Sequence, residues 1–160
     1  MFKKTNNILL IFLLFIISAS LVAAFIIQYK LGHQPCKLCI YQRIPYILSI
    51  FLIIELIFFK KSEKTTLLLL SLIFIISVIL AFYHFGIEQG FFTESLVCES
   101  TSFSETLTKD QLLEQLKQNT ISCKDVSFKV LGLSLASINV IFSLVLSVIF
   151  IKLFKSHEKN

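Results

Sequence analysis

The sequence predicts an all-α membrane protein: a four-transmembrane-helix bundle with a short amphipathic interfacial helix in its second external loop. Three observations lead there. Of 160 residues, 56% are hydrophobic and 16% charged, against roughly a quarter charged in soluble domains. The apolar residues are gathered into four runs of near 20 residues, the length a helix rising 1.5 Å per residue needs to cross the hydrocarbon layer. The lysines and cysteines between the runs are sorted by side.

The whole chain reads as one domain, with helices at about residues 8–27, 41–59, 66–85 and 130–151 and external loops at 28–40 and 86–129. The first run, 8–27, carries no charge. Lys3 and Lys4 before it suggest a signal peptide, but the run exceeds the usual apolar core of about 7–15 residues, so an uncleaved helix is expected. Tyr29 and Lys30 suit the headgroup level. The second run contains Pro45, which denies the Tyr41 carbonyl its partner, so the helix either begins near Pro45 or starts near Cys39 and kinks. Glu55 lies toward its far end, where Lys60 and Lys61 suggest a snorkelling pair at the interface. The third run ends at Tyr83-His84-Phe85-Gly86, with Gly86 a candidate helix stop. In the long segment that follows, Thr108-Lys109-Asp110-Gln111 has capping-box spacing, and Leu112, Leu113 and Leu116 share one face. That pattern describes a helix lying on the membrane. The fourth run has small residues at Gly132, Ser134, Ala136 and Ser137 for close packing, and Asn139 as a hydrogen-bonding group within the bundle.

Lysines set the orientation. One side holds both termini and the short link 60–66, with eight lysines; the other holds seven Lys or Arg, balanced by seven acidic residues. Positive charge in short flanks marks the cytoplasmic side, so both termini are expected there. The basic pI is therefore a topology signal, and no pattern points to nucleic acid. All four cysteines, Cys36, Cys39, Cys98 and Cys123, then lie on the outer face, as disulfide chemistry in an oxidising compartment requires.

Pro35-Cys36-Lys37-Leu38-Cys39-Ile40-Tyr41-Gln42-Arg43 carries the chemistry. A C-x-x-C alone also suits half a zinc site or a structural pair. A helix starting near Cys39 would place that sulfur at a helix N-terminus, with Arg43 one turn below, both favouring the thiolate. His33, three residues before Cys36, is either an exposed loop residue or a further cation. His84 reaches the same interface as Arg43, as a polar anchor or as a quinone or proton partner. Two cysteine pairs on one face suggest a disulfide relay, which needs a terminal acceptor. A quinone takes two electrons and two protons, and a guanidinium at the membrane surface can bind its carbonyl oxygen. Cys39, nearer Arg43, would face it.

These residues resemble the DsbB family of quinone-dependent disulfide oxidoreductases. The likeness rests on Pro-Cys-x-x-Cys-x-Tyr-x-Arg, the second external cysteine pair, Tyr83-His84-Phe85-Gly86, and Asp125 followed by Leu131-Gly132-Leu133-Ser134, and it spans nearly the whole chain. It implies a bacterial inner-membrane enzyme with periplasmic cysteines and redox disulfides Cys36–Cys39 and Cys98–Cys123. A reduced DsbA-like thioredoxin-fold partner would attack at Cys98, Cys123 would exchange with Cys36, and Cys39 would pass electrons to ubiquinone or menaquinone held by Arg43, with His84 a further candidate contact. No metal is implied. Gln42 stands where some members have an acidic residue, and Ala136 where a Pro is common. Two rivals remain: a vitamin K epoxide reductase-like enzyme, whose C-x-x-C precedes its last helix rather than its second, and a non-enzymatic four-helix adaptor with structural disulfides, which would need no Arg beside the C-x-x-C.

Overall fold

A chain of charge-free apolar runs must satisfy its backbone groups internally in lipid, and the helix does so locally. A computed structural model of the chain describes residues 7–59, 62–93, 98, 122–124, 129–130 and 132–158. Its elements are α1 (Asn7–Tyr29), α2 (Lys37–Tyr41), α3 (Arg43–Phe59), α4 (Glu63–Glu88), a two-residue hairpin of β1 (Lys129–Val130) and β2 (Leu133–Ser134), and α5 (Leu135–Glu158). Four spans result, with α2 and α3 together making the second. The four-helix membrane bundle is as the sequence predicts. The amphipathic segment from Thr108 to Lys117 lies outside the described residues.

Two boundaries differ from expectation in ways that matter for the site. The second span starts at Lys37 and is interrupted at Gln42, three residues before Pro45. This is the broken-helix alternative, and it turns the residues around the C-x-x-C into a short helix of their own. The fourth span starts at Leu135 rather than near residue 130, because Lys129 pairs with Ser134 and Val130 with Leu133. Gly132 closes that hairpin with φ 84°, a conformation glycine adopts at little cost. Ser134 then caps α5, its hydroxyl accepting from the Ser137 N–H at 3.2 Å.

Gly86 does not stop the third span. The helix runs on to Glu88 and closes on Gly90 (φ 77°). The Phe91 N–H reaches the Gly86 carbonyl at 2.8 Å and the Gly90 N–H the Ile87 carbonyl at 3.0 Å, a Schellman pair. Gly86 is needed instead for room, since a Cβ there would run into the Phe92 ring.

Each helix buries one stripe. On α1 it is Leu10, Leu13, Ile17 and Leu21, spaced for a single face. That stripe meets Ile53 and Leu56 of α3 in a core shared with Leu67 and Phe74 of α4 and Leu146 and Phe150 of α5. The Phe74 and Phe150 rings stack at 5.4 Å and Tyr46 meets Phe74 edge-on at 5.8 Å. Lipid tails are as apolar as this core, so packing and interhelical hydrogen bonds must hold the bundle. Ser143 of α5 supplies two such bonds, to Ser77 of α4 and to Tyr46 of α3, both at 2.9 Å. The opposite faces are Phe-rich and exposed, with Phe15, Phe51 and Phe58 each 67–76% accessible, as a lipid-facing surface is. At the far end Glu55 accepts from Ser62 at 3.5 Å; Lys60 and Lys61 lie outside the described residues.

Candidate functional site

Because α2 begins at Lys37, Cys36 is its N-cap. The Cys36 sulfur accepts from the Cys39 N–H at 3.3 Å. This corrects the expectation that Cys39 would take the helix-start position. Helical spacing of three brings the Cys39 sulfur to 2.8 Å from that of Cys36, and both are thiols here. His84, on the last turn of α4, puts Nε2 3.5 Å from the Cys36 sulfur. The Cys36 thiol is consequently pulled down to about 5. The hydrogen bond from the Cys39 thiol is the largest cause. Burial works the other way, and His84 and the Cys39 N–H add to the lowering.

Cys98 and Cys123 are joined in a disulfide, with Cα atoms 5.4 Å apart. They are buried with Cys36, Leu38 and Ile87 in one cluster, against which Cys39 and Tyr83 also pack. The fold thus gathers all four cysteines. Cys36, Cys39 and His84 also offer possible metal ligands within 4.8 Å of one another. The spacing of the two sulfurs also places them within reach of each other for disulfide exchange.

Cys39 opens onto a cavity of about 440 Å³ between α1, α3, α4 and α5, roofed by His33 and Pro35. Its walls are mainly apolar, among them Leu21, Ile27 and Phe142, with polar groups from Gln42, Arg43, Tyr46, His84 and Asn139. That is the size and composition of a site for a flat, mostly apolar small molecule. Arg43 lines it together with Cys39, and α1 holds the guanidinium: Nη1 donates to Gln28 Oε1 at 2.6 Å, and the group lies 4.9 Å over the Phe25 ring. The model named Disulfide bond formation protein DsbB matches residues 6–153.

The chain belongs to the DsbB family. As a DsbB-family protein it is a multi-pass membrane protein of disulfide bond formation. An uncharacterized protein of Rickettsia prowazekii (strain Madrid E), RP370, is 29% identical over 160 residues, covering 99% of this chain and 92% of the relative.

Several groups of this DsbB-family site escaped the sequence reading. Gln28 looked like loop, yet it positions Arg43. Gln42 was marked only as a departure from the family pattern. It is buried and links three spans, bonding His84 Nδ1 at 3.1 Å, the Leu80 carbonyl at 3.4 Å and Asn139 at 2.8 Å. Tyr46 donates to Asn139 Oδ1. Glu88 has a side chain 6% exposed, Oε1 3.8 Å from His84 Nε2, and Oε2 buried without a hydrogen bond. Its i,i+4 relation to His84 was the signal that could have found it.

Proposed function

We propose that this protein is a membrane thiol–disulfide oxidoreductase that reoxidises a periplasmic DsbA-like dithiol protein and passes the electrons through two cysteine pairs to a membrane quinone. One observation carries the reading: Cys36 shares a buried cluster with the Cys98–Cys123 disulfide, while its partner Cys39 faces an apolar cavity containing Arg43.

The partner's thiolate attacks Cys98, forming a mixed disulfide and releasing Cys123 as a thiolate. Cys123 attacks Cys36 of an oxidised Cys36–Cys39 pair, and Cys39 is released beside the cavity. The partner's second thiolate then displaces Cys98 and the partner leaves as a disulfide, and Cys98 displaces Cys36 from Cys123. Each exchange makes one S–S bond and breaks one, so Cys98–Cys123 is restored and the two electrons rest on the Cys36/Cys39 dithiol, which returns to a disulfide when they are passed on. A quinone, when bound, accepts those two electrons with two protons. Arg43 would hold one of its oxygens, and the apolar wall from α1 and α5 would exclude water around its ring. The Lys-rich termini are placed in the cytoplasm and the cysteines in the periplasm, by positive charge in short flanks.

Reconstituted protein should reduce ubiquinone or menaquinone when supplied with a reduced DsbA-like protein, and Cys39→Ser should abolish turnover. Wild-type turnover in Cys39→Ser, or quinone reduction independent of the partner dithiol, would sink the reading.

A further inference from the structure

We propose that Gln42 is a positioning residue that sets the protonation of His84, holding the ring with its proton on Nε2 and its Nδ1 bare. The inference takes its functional meaning from the relay proposed above, but its geometry stands apart from it.

The direction of the Gln42 amide is fixed by a group that cannot change roles. Leu80 presents a backbone carbonyl, which only accepts, and the Gln42 atom facing it at 3.4 Å must therefore be the N–H₂. Turning the amide over would set two carbonyl oxygens against each other in a buried, low-dielectric place. The other end agrees. Asn139 donates to Gln42 Oε1 at 2.8 Å, and the Asn139 oxygen in turn accepts from Tyr46 and, at 3.3 Å, from Ser143. With one Gln42 N–H on the Leu80 carbonyl, the other points at His84 Nδ1, 3.1 Å away.

A donor facing Nδ1 needs a lone pair there. The ring proton is then on Nε2, toward the Cys36 sulfur at 3.5 Å and Glu88 Oε1 at 3.8 Å, both of which accept when ionised. Those two anions draw a second proton toward the ring; Gln42 opposes it, since a protonated Nδ1 would meet its N–H head-on. The other groups near His84 are Cys39 of α2, within 4.8 Å, and the main-chain carbonyl of the disulfide-bonded Cys123, which accepts from a ring N–H. The Arg43 guanidinium is turned to Gln28, and α5 contributes the uncharged Asn139. His84 is thereby a hydrogen-bond donor to Cys36 and not a base toward it. A carboxylate at position 42 would accept from Nδ1–H and turn the ring into an imidazolium.

The test is nitrogen NMR on ¹⁵N-histidine-labelled full-length protein in detergent, with Cys36 and Cys39 reduced and no quinone or partner added. His84→Asn assigns its signals against those of His33 and His157. At neutral pH the wild type should show a pyridine-type Nδ1 and a pyrrole-type Nε2 for His84. Gln42→Glu should show two pyrrole-type nitrogens, and Gln42→Met, which keeps length but removes the donor, should raise the doubly protonated fraction at the same pH at least about two-fold. A wild-type ring with its proton on Nδ1, a doubly protonated wild-type ring, or His84 signals unmoved in both variants would overturn the proposal. Because the wild-type arm needs no Gln42 variant and no turnover, a misfolded Gln42 variant leaves that arm intact. Failure of quinone reduction would likewise leave the tautomer result standing.

Discussion

Replacing Cys39 by Ala should undo most of what makes Cys36 reactive. With Cys36 pulled down to about 5, most of it is already thiolate at pH 6, so its alkylation rate should rise less than about two-fold between pH 6 and pH 8. An ordinary thiol near 8.5 would rise about 75-fold over the same interval. The ratio cancels the slow access of reagent to a side chain only 5% exposed, and also the lower intrinsic nucleophilicity of a low-pKa sulfur. The assay is iodoacetamide labelling of Cys36, read by peptide mass spectrometry in a Cys98→Ala, Cys123→Ala background reduced beforehand. Cys39→Ala removes the largest lowering cause and His84→Ala removes two further ones, so each should steepen the pH dependence. A 75-fold rise in the parent, or a profile unchanged in both variants, would refute the reasoning. The stability sign follows from the same depression. The ionised Cys36 contributes fully above its unfolded value near 8.5, and the contribution is lost as pH falls toward and through about 5.

Arg43→Ala should raise the apparent quinone KM, and Gln28→Ala should raise it less, because Gln28 acts only by holding the guanidinium; steady-state kinetics over a quinone series checks both. Gly86→Ala should cost about 1–3 kcal/mol by overpacking against Phe92, and adding Phe92→Leu should recover part of it in a detergent unfolding titration. Asn139→Leu leaves Gln42 Oε1 and one Tyr46 bond without a partner and should cost about 1–3 kcal/mol by the same titration.

Legibility followed the range of the interaction. The spans were visible because bilayer thickness and backbone satisfaction act on every residue of a run alike. Pro45 announced a break in the second span but left its place open; only the packed structure put it at Gln42 and so made Cys36, not Cys39, the helix cap. The hairpin before α5 was hidden at the start of an uncharged run, where short strand and helix patterns look alike until pairing partners are known. Gly86 was legible as a special position, and the reason was not: its role depends on Phe92 folding back from beyond the helix end.

By itself the sequence determined four spans, a C-x-x-C at the entry to the second, and a second cysteine pair between the third and the fourth. These follow from composition and from spacings within one helix turn, which need no knowledge of neighbours. The tertiary structure alone decided which groups face the sulfurs. His84 lies 48 residues from Cys36, and Asn139 lies 97 from Gln42. No periodicity links such pairs; a hydrogen bond between them exists only where helix packing has already set two side chains about 3 Å apart with matching donor and acceptor.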